Sequence, residues 1–137
     1  MITHRTRKRV RYGETDQMGY LYHGHYALYY EVGRVELLRS LGLTYKRVEE
    51  ELGVMMPVVN LECRFVRPAH YDDEVAIETQ VRSLPERQLA FHHELYGPTG
   101  ELLNGGRVTV CFVERAGGMR RVGCPPAVLD ALRPHFA

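Results

Sequence analysis

Residues 26–41 read YALYYEVGRVELLRSL. Projected at about 100° per residue, Tyr26, Tyr29, Tyr30, Gly33, Leu37, Ser40 and Leu41 share one charge-free arc, the stripe of a helix that faces a core. The remaining circumference mixes Glu31, Arg34, Glu36 and Arg39 with Leu28, Val32, Val35 and Leu38. It is not a purely solvated face, so a second surface is expected to cover part of it. Gly42 is placed to end this helix, and Thr44 to cap a shorter one running through Leu52. Arg47 stands where a full capping box would have Glu or Gln.

Upstream, Arg5, Arg7, Arg9 and Arg11 alternate with Thr6, Lys8, Val10 and Tyr12, which predicts a first strand over residues 5–12. Gly13 to Gly24 has the composition of an irregular loop. Downstream of Gly53 the period becomes two. Val59, Leu61, Cys63 and Phe65 alternate with polar residues, as do Val75, Ile77, Thr79 and Val81, and both runs predict half-buried strands. Leu89, Phe91, His93 and Leu95 predict another, and Val108, Val110 and Phe112 the last. Turn signals at Arg67-Pro68, Tyr71-Asp72-Asp73, Leu84-Pro85 and Gly97-Pro98-Thr99-Gly100 have the spacing of an antiparallel meander. Gly105 and Gly106 inside a strand imply a bulge or a close backbone approach. A short helix is expected over residues 125–133. The order predicts one α+β domain over residues 1–137, with a curved antiparallel sheet of about five strands wrapped around a long central helix.

With 45% hydrophobic and 26% charged residues the chain falls in the globular class, and a net charge of +1 provides no global field for nucleic acid or an anionic membrane. No stretch approaches the ~18 apolar residues of a spanning helix, and the basic N-terminus lacks an apolar signal region, so a cytoplasmic protein without membrane insertion is expected. Cys63, Cys111 and Cys124 lack CxxC spacing and are expected to be structural thiols, the first two buried in strands. Seven histidines offer no HExxH or Cys/His pattern; no metal and no cofactor are expected. Ser40 and Ser83 lie outside any GxSxG elbow, which removes a serine hydrolase reading.

The loop and helix entry, YGETDQMGYLYHGHY over residues 12–26, with Glu31, Arg34 and Glu36 on the helix, resembles the 4-hydroxybenzoyl-CoA thioesterase-like branch of the hotdog superfamily. That branch includes the acyl-CoA thioesterases associated with the Tol-Pal cluster. Its pattern is roughly Tyr-x-x-Thr-Asp-x-x-Gly-x-x-Tyr-His-x-x-Tyr, then Glu-x-x-Arg-x-Glu. Arg67-Pro68-Ala69 and Asp72-Asp73-Glu74-Val75 look like its proline turn into the third strand. The chain departs from the pattern at Gln17, where a small residue is common, and at His25, where asparagine is common.

The resemblance implies hydrolysis of an acyl-CoA thioester, with Asp16 as nucleophile or general base. The His23 backbone N–H would polarise the carbonyl, helped by the His23 imidazole and the Tyr12 hydroxyl. The reaction needs such a carboxylate, and it needs donors for the oxyanion, which the entry of a helix supplies. Gly19, Tyr22 and Glu31 are the implied substrate-binding positions. The basic stripe adds Arg7 and Arg9 as candidate contacts to CoA phosphates, against the alternative of a solvated edge strand. A hotdog hydratase or dehydratase, and a non-catalytic acyl-CoA or acyl-carrier-protein binding module, are the competing readings. The mixed helix face and the resemblance together imply a homo-oligomer, a dimer or a tetramer built from dimers.

Overall fold

The computed structural model describes residues 1–136. The first strand, β1 (Ile2–Arg9), begins earlier than the alternation suggested and stops before Tyr12. It stops because the Glu14 carboxylate accepts the Arg11 N–H at 2.9 Å, coiling Tyr12–Glu14 into a 3-10 turn. A second 3-10 turn, His23–His25, leads directly into the long helix α1 (Tyr26–Ser40). Helix α2 (Tyr45–Leu52) starts on Thr44, whose side chain accepts the Arg47 N–H at 3.1 Å, and ends on Gly53 in the left-handed region.

Strands β2 (Val54–Met55), β3 (Val58–Phe65), β4 (Glu74–Val81), β5 (Gln88–Tyr96), β6 (Leu102–Glu114) and β7 (Arg120–Val122) complete an antiparallel sheet of seven, followed by α3 (Pro126–Leu132). The two strands beyond the expected five, β2 and β7, contain two and three residues, too few to carry a period. Long β6 pairs with β5 on one side and β3 on the other, and its far end pairs with β2 and β7. This curved sheet around a long helix is the hotdog arrangement.

Helix α1 packs on β1, β4 and β5. Tyr26, Tyr29, Tyr30, Gly33 and Leu37 of the charge-free arc are buried, together with Arg34 and Leu38 beside it. They meet the inward residues Val75, Ile77, Thr79 and Val81 of β4 and Leu89, Phe91, His93 and Leu95 of β5. The expectation for the 59–65 run needs correction. Strand β3 is exposed along its whole length, Cys63 included, because it sits beyond β6, where α1 reaches it only through Tyr30 at Cys63 and Tyr26 at Phe65, and its outer edge has no neighbour. Its alternation is that of a strand with one apolar face, and that face is covered only in part, by Tyr26 at Phe65 and Tyr30 at Cys63.

Gly106 shows the close approach expected of the Gly105–Gly106 pair. It stands between His93 on β5 and Cys63 on β3, and the Tyr30 side chain occupies the space above it. A Cβ there would overlap the Tyr30 hydroxyl and come within 2.6 Å of the Glu62 carbonyl oxygen.

Candidate active site

The site is built where the loop after β1 runs into α1. Asp16 folds the loop back on itself: its Oδ1 accepts the Met18 N–H at 2.9 Å and the Tyr20 N–H at 3.2 Å, while its own N–H donates to the Tyr20 carbonyl at 2.8 Å. The reversal needs a left-handed residue at its end, and Gly19 supplies it with φ +81°. A bridge between Thr15 and Leu21 closes the base of the loop, and a bridge from Tyr20 to His70 ties its far side to the turn before β4.

From Leu21 the chain passes through Tyr22 into the turn that holds His23. The first bond of that turn runs from the His25 N–H to the Tyr22 carbonyl at 2.9 Å. The N–H groups of His23 and Gly24 precede it and so find no acceptor inside the turn. They sit at the end of α1 where the partial charge is positive. The Tyr22 ring lies against the His23 imidazole, with centroids 4.3 Å apart, and so restrains it.

Asp16 and His23 line one cavity of about 240 Å³, together with Met18, Tyr20, Leu21, Tyr26, Phe65, Val66, Arg67 and Pro68. Its walls are mainly apolar, and the Tyr26 and Phe65 rings meet edge to face at 5.0 Å. Burial pushes the Tyr26 hydroxyl above its ordinary pKa against a hydrogen bond from the Ala69 backbone, with its neighbours Cys63 and Asp16 adding to the rise, so this phenol stays protonated. Tyr26 closes the loop motif and Arg67 opens the proline turn, but the sequence assigns neither of them, nor Phe65, a role in the site. The helical stripe placed Tyr26 in the core, and the β3 alternation placed Phe65 there.

The other expected residues are spread over the surface around this cavity. Tyr12 is 74% exposed and lines a separate depression with Lys8, Arg9, Arg11 and Tyr71, where its ring lies 5.5 Å from that of Tyr71. Glu31 lines a third cavity between α1, α2 and β2, together with Arg34, Tyr45, Met55 and Met56. Arg7 pairs with Glu74 at 3.0 Å, and Arg9 with Glu74 at 3.2 Å and Asp72 at 3.8 Å, so both guanidinium groups already have carboxylate partners across the β1–β4 edge. His92 and His93 point to opposite faces of β5, and among the described residues no group of three His, Cys, Asp or Glu side chains could hold a metal ion.

Residues 10–132 match the model of a family described as the thioesterase-like superfamily. The acyl-CoA thioesterase YbgC of Haemophilus influenzae is 32% identical over 123 residues, which cover 90% of this chain and 89% of that protein. Among solved structures, a DHNA-CoA thioesterase from Staphylococcus aureus superposes with a TM-score of 0.91 at 27% identity, covering 98% of this chain and 91% of that one. The hypothetical protein TT1821 from Thermus thermophilus superposes with a TM-score of 0.89 at 35% identity, covering 99% of both chains. A carboxylate loop facing a helix entry, on a sheet wrapped around that helix and with this family match across nearly its whole length, makes the chain a member of the thioesterase-like superfamily of hotdog proteins.

Proposed function

We propose that this protein hydrolyses acyl-CoA thioesters to a carboxylic acid and CoA, with Asp16 as the reacting carboxylate and the His23 N–H as the donor to the carbonyl oxygen. The observation that carries this reading is that Asp16 and His23 line one largely apolar cavity at the positive end of α1. Acting as a general base, Asp16 takes a proton from water as its oxygen attacks the thioester carbon. The developing oxyanion receives the His23 hydrogen bond, and its collapse breaks the C–S bond and expels the CoA thiolate. Acting as a nucleophile, the carboxylate itself forms the new C–O bond and expels the thiolate; water then hydrolyses the resulting anhydride. Either course uses the oxygen of Asp16 that is not committed to the Met18 and Tyr20 N–H groups. The relative named an acyl-CoA thioesterase supports the substrate class.

Arg67 is the cation on the wall of this cavity, and it suits the phosphates of CoA better than Arg7 and Arg9, which are held in ion pairs. A second copy of the chain suits the exposed strand. Val58, Val59, Leu61, Phe65 and Val66 are all at least 40% exposed, and the edge of β3 has unpaired backbone groups. Because Phe65 and Val66 also line the Asp16 cavity, a partner seated there would complete its wall. The unit is therefore a dimer, or a tetramer built from two dimers, with a site at each shared surface. Among the described residues no helix is long and apolar enough to cross a membrane. The three free thiols fit a reducing compartment such as the cytoplasm.

The test is release of free thiol from a panel of acyl-CoA esters of graded chain length, with a benzoyl-type ester included. Turnover on at least one supports the reading, and tight binding of all without release would replace it with a binding module.

A further inference from the structure

Glu14 is not part of the cavity wall. Its side chain stands behind the Asp16 loop, where four segments of the chain converge on it. The Oε1 atom accepts the Arg11 N–H at 2.9 Å and the Tyr29 hydroxyl at 2.8 Å, and Lys8 Nζ donates to the carboxylate with 3.0 Å to each oxygen. The same Lys8 ammonium lies over the Tyr29 ring, 4.6 Å from its centroid. The Glu14 carbonyl oxygen accepts the Tyr22 N–H at 2.9 Å. One residue thus joins the end of β1, the first 3-10 turn, the buried face of α1 and the segment that delivers His23.

The position of this junction relative to the two reacting groups gives it a consequence for rate. Asp16 is two residues downstream of Glu14 along the chain, and His23 is one residue beyond the Tyr22 that Glu14 holds. The loop between them is closed on itself by the Thr15–Leu21 bridge, so a displacement at its base carries Asp16 with it. Its attachment to α1 through a side chain is the bond from Tyr29 to Glu14. If that attachment slackens, the loop with its carboxylate shifts against the helix entry with its N–H.

We propose that Glu14 is a positioning residue for thioester hydrolysis: by tying the loop to α1, it sets the distance between the Asp16 carboxylate and the His23 N–H. The proposal rests on the reading of Asp16 as the reacting group. A misplacement of about 1 Å in such a pair costs on the order of 10²-fold in rate while the substrate's remote contacts survive. The signature of the role is a loss of kcat at constant KM, whereas a purely stabilising residue moves the melting temperature and leaves kcat of the folded fraction alone.

The experiment measures kcat, KM and melting temperature for Glu14→Ala, Glu14→Gln and Tyr29→Phe beside Asp16→Asn. Glu14→Ala is expected to lower kcat by roughly 30- to 100-fold with KM unchanged. Glu14→Gln retains an amide oxygen for the Arg11 N–H and the Tyr29 hydroxyl, so it recovers most of that turnover although it no longer neutralises Lys8. Tyr29→Phe removes the helix tether alone and lowers kcat in the same sense, and combining it with Glu14→Ala adds nothing further. A folded Glu14→Ala protein with wild-type kcat overturns the proposal, whatever its melting temperature. Should Glu14→Ala fail to fold, Tyr29→Phe decides: a drop in kcat at constant KM supports the role, and wild-type kcat overturns it. Asp16→Asn separates the two levels. If it is dead while Glu14→Ala is fully active, only the positioning role fails; if it retains turnover, both fail.

Discussion

Tyr30 lies flat on His93, with ring centroids 4.7 Å apart and planes within 3° of parallel. The His93 Nδ1 is 3.0 Å from the Thr79 hydroxyl, and its buried Nε2 has no hydrogen-bond partner. Burial, followed by the nearby charges of Arg34 and His92, pushes the His93 pKa down to about 3. This imidazole is a neutral part of the core, placed there by the inward register of β5.

Acid sensitivity follows with a definite sign. An unfolded histidine titrates near about 6.5, so between that pH and about 3 the unfolded chain binds a proton that native His93 does not, and stability falls as the pH drops through this window. Glu14 acts lower on the scale. Burial raises its pKa, but the Arg11 N–H, Lys8 and Tyr29 outweigh burial and hold it below 4.5. Its contribution is complete above the unfolded value and is lost as the pH falls through the folded one. Melting curves from about pH 7 to about pH 5 should therefore show a decline that His93→Gln reduces and Glu14→Gln does not.

At Gly106 the expected effect is on stability. Gly106→Ala drives a methyl group into the Tyr30 hydroxyl and toward the Glu62 carbonyl, where backbone gives way poorly. The cost should be about 1–3 kcal/mol, as for other overpacked cores, and chemical denaturation would read it. Gly105→Ala is the control. A Cβ there meets only the His93 carbonyl, at 3.9 Å, and should cost less.

These cases show where the sequence was legible. Periodicity over residues 26–41 marked the buried face of α1, because a helix against a sheet imposes its stripe on every turn. The inward rows of β4 and β5 were legible for the same reason. Strand β3 carries an identical alternation but stays exposed, since period two reports that a face is apolar and says nothing of how far it is covered. Arg34 illustrates the opposite limit: it is 7% exposed although it falls outside the charge-free arc, because α2 brings Tyr45 to within 3.3 Å of its Nε. At the site, Asp16 and His23 were legible through their motif. Tyr26 joins them locally, one turn past His23 at the start of α1, whereas Phe65 and Arg67 join them only by long-range pairing of β3 with β6 and by the turn at Pro68, which no local pattern encodes.

The exposed face of β3 predicts the assembly. Wild-type protein should scatter light as a dimer or tetramer at about micromolar concentration, and Leu61→Lys, which puts a charge on the exposed strand, should yield a folded monomer with reduced turnover. A wild-type protein that is fully active as a monomer would exclude a shared site.

Arg67 can be separated from the chemistry by choice of substrate. Arg67→Gln should raise KM for acyl-CoA several-fold, about the loss of one exposed charge-assisted contact, with kcat little changed. On a truncated thioester lacking the nucleotide the variant should match wild type. Arg7→Gln and Arg9→Gln should leave both substrates unaffected, since their guanidinium groups are engaged by Glu74 and Asp72. A KM effect at Arg7 or Arg9 larger than that at Arg67 would move the phosphate contact to the β1 edge.

The decisive pair of substitutions is Asp16→Asn and His23→Ala. Asparagine keeps the side-chain oxygen that accepts the Met18 and Tyr20 N–H groups, so the loop reversal survives and stability should change by no more than about 0.5 kcal/mol. It cannot take a proton from water or attack a carbonyl carbon, so turnover should fall about 10²- to 10⁴-fold for a lost general base, and further for a lost nucleophile. His23→Ala keeps the backbone N–H at the entry to α1 and removes only the imidazole with its contact to Tyr22, so its loss of kcat should be smaller. The order of the two variants, measured by thiol release under saturating substrate with circular dichroism to verify folding, tests the assignment of roles. If a well-folded Asp16→Asn protein turns over more quickly than His23→Ala, the reacting group is not the carboxylate, and the imidazole becomes the candidate base.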